Sequence, residues 1–187
     1  QTCVIDDAIW DETTAELQRM GARILSDADV ERLADFAFKE DGSVELMSLG
    51  QSCVNLGQLA GFEAADEDKV LLAPLPSDPE ALASHPLVRE KLMPVLGLVR
   101  SPSVEHALEI CDLVTEHGGL GHTSAVYATD EDVIDRFAEA VRTGRILVNA
   151  PTAVGALGGV YNSMTPTFSL GCGTWGGSLT TDNVNYR

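Results

Sequence analysis

Short apolar runs that alternate with helical stretches of about ten residues or more constrain this chain more than any other feature. Val4-Ile5, Ile24-Leu25, Val70–Ala73, Val95–Val99, Ser124–Ala128 and Ile146–Val148 read as strands. Strands separated by helices of that length need crossover connections, and crossovers build parallel sheets. The alternation predicts an α/β fold, a mostly parallel sheet with flanking helices. It places Val95–Val99, Ser124–Ala128 and Ile146–Val148 in that one sheet.

Local signals bound the helices. Asp6 or Asp7 can cap a helix through about Met20, and Gly21 fits the position just past its end, where left-handed backbone is cheapest for glycine. Ser26 can cap a helix with Val30, Leu33, Ala34 and Ala37 on one face. Glu45–Leu49 reads as extended, Ser52 opens a helix to Ala60, and Gly61 stops it. Pro74–Pro79 reads as irregular, and Pro86 starts a short helix through Lys91. Ser103 caps a helix through His117, and Asp130–Arg142 is another. After Asn149 the periodicity stops in a stretch rich in Gly, Thr, Ser and Pro.

Charge and composition exclude several classes. Lys and Arg number 12 against 29 Asp and Glu, a formal charge of −17. Phosphate contacts need basic side chains, so no nucleic-acid partner is expected. The acidic residues concentrate in stretches such as Asp27–Glu40 and Asp130–Glu139, the pattern of a solvated face rather than of a cation site. Hydrophobic residues make up 44% of 187, enough for a sizeable core. No apolar run nears the ~20 residues that span a bilayer, so no membrane partner is expected. The four cysteines form no C-x-x-C pair and no zinc spacing, so a reduced, cytoplasmic protein without a metal is expected. Cys3 and Cys111 sit in apolar patterns and read as core.

The chain carries no G-x-G-x-x-G, no G-x-x-x-x-G-K-[ST] and no G-x-S-x-G segment. Ligands of parallel sheets gather beyond the carboxyl ends of the strands. Gly118–Gly121, Gly155–Gly159 and Gly171–Gly177 are the expected rim. Within Gly118-Gly119-Leu120-Gly121-His122-Thr123-Ser124, His122 stands between a helix and a strand. Imidazole exchanges protons near neutral pH. His122 therefore reads as a proton acceptor at the rim or as a loop histidine held for backbone reasons. Glu90 by itself reads as a helix-surface glutamate beside Lys91. Cys172, between two glycines, reads as an exposed thiol and a candidate nucleophile. His85, His106 and His117 read as exposed helix residues.

Four motifs in order carry a resemblance: Glu90-Lys91-Leu92-Met93-Pro94-Val95-Leu96, Gly119-Leu120-Gly121-His122-Thr123-Ser124, Arg145-Ile146-Leu147-Val148-Asn149-Ala150-Pro151 and Leu170-Gly171-Cys172-Gly173-Thr174-Trp175-Gly176-Gly177. Together they resemble the CoA-acylating aldehyde dehydrogenases, above all the aldehyde dehydrogenase half of bifunctional aldehyde–alcohol dehydrogenases. The likeness runs from Gln1 to about Val184 and implies a fold of the aldehyde dehydrogenase catalytic-domain type. It makes residues 1–187 a catalytic-domain fragment, with the cofactor domain elsewhere.

The resemblance also implies a chemistry. A thiolate adds to a short-chain aldehyde, hydride leaves to NAD, and the sulfur of CoA takes the acyl group. Gln1-Thr2 looks like the end of the family's Cys-Ala-Ser-Glu-Gln-like segment, so the nucleophilic cysteine is expected upstream of Gln1 and the isolated fragment is expected to be inactive. His122 is implied to take the proton of the CoA thiol. Glu90 is implied to hold the nicotinamide ribose, its carboxylate accepting from two hydroxyls. Gly171, Cys172 and Gly173 are implied to belong to a loop closing the substrate tunnel, which makes Cys172 a loop residue and not the nucleophile. Trp175 is then a tunnel wall or a core residue. Gln1, Glu90, His122 and this loop are expected to line one cleft.

Two departures stand out. Met93 replaces a small polar residue, and Ala153–Gly159 replaces a more polar segment; both bear on acyl-chain preference or CoA contacts. Because bifunctional family members polymerise into helical filaments, a homo-oligomer or filament is expected, and a non-catalytic α/β assembly module is the alternative to an enzyme.

Overall fold

Residues 1–159, 162–164, 166, 173 and 175–177 are described by a computed structural model, in which the chain forms two compact units, Gln1–Ala107 and Leu108–Arg187. The first is built on four parallel strands, β1 (Thr2–Asp6), β2 (Ala22–Ile24), β3 (Val70–Pro74) and β4 (Val95–Ser101). Their order across the sheet is β1-β4-β3-β2. The register pairs Thr2 with Gly97, Leu71 with Val95 and Ala22 with Val70.

The central strand β3 explains why this sheet is covered. Leu71, Leu72 and Ala73 are all fully buried. Successive strand residues face opposite sides, so both faces must be packed. On one face Leu72 clusters with Ile5, Ala22 and Leu98, closed by Trp10 and Leu17 of helix α1 (Trp10–Arg19). The helices α2 (Asp27–Ala37) and α3 (Cys53–Ala60) supply Val30, Leu33, Ala34, Ala37 and Leu56 to the core.

Their ends obey the local rules. Ser26 accepts from the Asp29 amide and Ser52 from the Asn55 amide. Gly61 ends α3 at φ 84°, a conformation that costs other residues more than glycine. Asp6 caps a short 3-10 turn, Asp7–Ile9, ahead of α1.

Three local expectations are corrected. Leu46–Ser48 is a 3-10 turn, not extended, because the Glu45 side chain accepts from the Met47 amide. The irregular Pro74–Pro79 stretch ends in helix α4 (Pro79–Ser84), started by Asp78, whose carboxylate accepts from the Ala81 amide. The Pro86 helix stops as a 3-10 turn at Val88, so Glu90 and Lys91 lie outside any helix.

Helix α5 (Val104–Gly118) begins with Ser103, whose hydroxyl accepts from the His106 amide at 3.2 Å. In the second unit β5 (Gly121–Val126) pairs in parallel with β6 (Thr143–Val148) across helix α6 (Glu131–Ala140). Asn149 comes directly after β6 at φ 51°. Its side-chain amide takes the place of a backbone neighbour: Oδ1 accepts from the Ala128 amide at 3.1 Å, and Nδ2 donates to the Ala128 carbonyl at 2.9 Å. Helix α7 (Thr152–Gly155) forms just beyond, in the stretch where the sequence shows no helical periodicity.

The parallel strands and flanking helices agree with the alternation of the sequence. The single sheet does not. Among the described residues β4 lies in the four-stranded sheet, whereas β5 and β6 form a separate two-stranded one. Alternation reports that strands are joined by crossovers; it carries no information on which strands share a ladder. No helix among the described residues is long and apolar enough to cross a membrane, and these residues hold no group of three His, Cys, Asp or Glu placed to bind a metal.

Candidate active-site residues

In the first unit β1 and β4 are direct neighbours running the same way, so their amino ends lie side by side. Gln1 stands at the start of one. The segment carrying Glu90 and Lys91 leads into the other.

That segment is held at several points. Leu87 and Val88 are buried and anchor the 3-10 turn. His85 accepts from the Leu87 amide through Nδ1 at 3.2 Å, a bond that requires an unprotonated ring nitrogen. Burial, more than any neighbouring charge, holds the His85 pKa below its ordinary value, in keeping with that role. The Arg89 guanidinium donates to the Gly42 carbonyl at 2.7 Å, and the Gly50 amide donates to the Leu92 carbonyl at 2.9 Å. Glu90 is exposed between these two anchors. The structure thus presents it as a solvent-facing carboxylate on a pinned backbone, not as a helix-surface residue.

Lys91, which reads in the sequence as an ordinary neighbour, is 1% exposed. Its Nζ donates to the carbonyl of Leu87 and, at 3.1 Å, to that of Arg89. Burial brings the Lys91 pKa down to about 8. An unfolded chain keeps the proton to about 10.5, so between these values unfolding takes one up. The folded state is therefore favoured as pH rises through that window. In urea titrations, the stability of the wild-type chain relative to Lys91→Met should grow by about 2–3 kcal/mol from pH 7.5 to 10.5.

In the second unit His122 is the second residue of β5 and half-buried. Gly121 precedes it at φ 81° and donates its amide to the Arg142 carbonyl at 2.8 Å. The His122 amide donates back to the Gly119 carbonyl at 2.8 Å. A Cβ on Gly119 would stand 3.6 Å from the imidazole, an ordinary contact, so of the two glycines it is Gly121, at positive φ, that the turn requires to deliver a histidine to the start of a strand.

The remaining sequence candidates divide. Gly171 and Cys172 lie outside the described residues. Gly173 is buried at φ 57°, and Trp175 is 54% exposed and so not a core tryptophan. Cys53 is buried, and Cys3 is partly buried against the Ile5 cluster. Burial pushes both thiols up, away from the thiolate a nucleophile needs. Cys111 is only partly buried.

The segments expected at the rim divide between the two ends of the strands. Gln1 and Glu90 precede β1 and β4, and His122 and Gly118–Gly121 stand at the amino end of β5, whereas Gly155–Gly159 comes after β6. At the carboxyl ends of the first sheet, Asp6, Asp78 and Ser103 cap the helical turns that come after β1, β3 and β4. His106 is half-buried rather than exposed. It bonds the Ser101 hydroxyl through Nδ1 at 2.9 Å and donates through Nε2 to the Ser77 carbonyl at 2.8 Å, tying those ends together.

No family model matches the chain. Curated relatives do. The aldehyde-alcohol dehydrogenase of Clostridium acetobutylicum is 36% identical over 191 residues, covering 100% of this chain and 22% of its own length. Among solved structures, an acetylating aldehyde dehydrogenase from Geobacillus thermoglucosidasius superposes with a TM-score of 0.88 at 32% identity, covering 98% of this chain and 39% of that one. A propionaldehyde dehydrogenase from Rhodopseudomonas palustris, solved with bound CoA and an acylated cysteine, gives a TM-score of 0.76 at 27% identity, covering 96% of this chain and 39% of that one. The chain spans about one fifth of the curated relative and about two fifths of either solved structure. Likeness over its whole length in sequence and fold makes this chain a homologue of the acylating aldehyde dehydrogenase portion of the aldehyde-alcohol dehydrogenases.

Proposed function

We propose that residues 1–187 serve as the catalytic domain of a longer, cytoplasmic, NAD-dependent enzyme that interconverts a short-chain aldehyde and its acyl-CoA. The observation that carries this reading is the pairing of β1 with β4. It brings the start of β1 to the strand that follows the pinned and exposed Glu90, and on the family resemblance the nucleophilic cysteine would come shortly before that start.

The residues fit the groups they would serve. A carboxylate facing solvent on a fixed backbone can accept from both hydroxyls of a ribose, so Glu90 would hold NAD near the reacting carbon. Bound NAD would supply the hydride acceptor. His122, delivered by its glycine turn, would take the proton from the CoA thiol as the sulfur attacks the acyl group. The relative that carries CoA and an acylated cysteine supports this order of events. The assembly-module alternative has no feature of its own among the described residues, whereas the enzyme reading accounts for Glu90 and His122.

The test is NADH formation from acetaldehyde, CoA and NAD by the longer protein containing this chain. Turnover is expected there and not from residues 1–187 alone. Glu90→Gln replaces one acceptor oxygen by a donor and should raise the KM for NAD about 10–100-fold, the worth of a hydrogen bond to a charged group. A longer protein that forms NADH without needing CoA would defeat the proposal.

A further inference from the structure

We propose that Lys91 is a positioning residue: its buried ammonium closes the turn that carries Glu90, and thereby sets where the Glu90 carboxylate meets the cofactor. The inference rests on the role of Glu90 proposed above and goes beyond it to a residue that touches neither substrate nor cofactor.

Burying an ammonium is costly, so a fully buried lysine is retained only where its donors are used. Two N–H groups of this one go to the Leu87 and Arg89 carbonyls, the backbone immediately before Glu90. One side chain therefore closes the turn from which Glu90 projects.

Other bonds fix the same segment. Arg89 is held to Gly42 and Leu92 to Gly50, but neither bond closes the turn on itself. Lys91 does, through the Leu87 and Arg89 carbonyls. Without its ammonium, two inward carbonyls lose their donor, and the turn must shift to find others. Glu90, exposed and adjacent, moves with it.

A KM-against-kcat split in the longer enzyme separates this role from a general loss of stability. Lys91→Met keeps the length of the apolar stem and removes the donors. It should raise the KM for NAD about tenfold, while kcat at saturating NAD, normalised to folded enzyme, stays within about twofold. In a Glu90→Gln background the same change should raise that KM by less than about twofold, because the carboxylate it positions is gone. Lys91→Gln restores one donor and should recover part of the loss; it carries the same comparison should Lys91→Met not fold.

An unchanged KM for NAD, or effects of Lys91 and Glu90 that simply multiply, would overturn the positioning role and leave the enzyme reading intact. A Glu90→Gln variant with wild-type KM for NAD, by contrast, would remove the parent assignment and this inference together.

Discussion

Replacing His122 by alanine should slow acyl transfer to CoA by about 10²–10⁴-fold, the usual contribution of a positioned general base. The fold should survive. The turn around His122 is held by main-chain bonds, from Gly121 to Arg142 and from the His122 amide to Gly119, and neither uses the imidazole. The affinity for NAD should stay near its starting value, because the cofactor carboxylate is assigned to Glu90.

The measurement is single-turnover kinetics in the longer enzyme, tracking NADH release and acyl-CoA formation separately. In His122→Ala the hydride step should proceed and acyl-CoA formation should lag. Raising the pH should recover part of the rate, because a CoA thiol that has already lost its proton no longer needs a base. Equal slowing of both steps, or none of either, would show that His122 is a structural histidine of the glycine turn.

The largest loss of stability is expected at Leu72. It is fully buried at the middle of β3 and packs with Ile5, Ala22 and Leu98, with Trp10 and Leu17 closing the cluster from α1. Leu72→Ala removes buried methyl groups and leaves a cavity that a covered parallel strand has little freedom to fill, at a cost of about 2–5 kcal/mol. Leu46, of the same residue type but 72% exposed, supplies the control. Leu46→Ala should change stability by no more than about 0.5 kcal/mol. Urea unfolding of both variants should show the midpoint shift for Leu72→Ala alone, with the slope unchanged.

Local signals were the legible part of the sequence. Ser26, Ser52 and Ser103 each accept from an amide three residues on. Gly21 and Gly61 stand just past helix ends at positive φ. Such signals can be read because both partners lie within one helical turn, where order along the chain is nearly order in space. Alternating strand and helix likewise announced parallel pairing, since only crossovers fit between strands so spaced. The short motifs around Glu90 and His122 located the candidate chemistry for the same reason: each is a contiguous string.

Tertiary structure decided the rest. Nothing adjacent to Lys91 distinguishes a buried ammonium from a solvated one; its burial and the carbonyls of Leu87 and Arg89, turned inward by the fold, make the difference. The partition of strands into two sheets was equally hidden, because a strand's own residues do not name its neighbour. The sequence by itself determined the elements and the reactive side chains on offer, through bonds spanning a few residues. Only the folded chain, through contacts between residues as distant as Thr2 and Gly97, decided which of them meet.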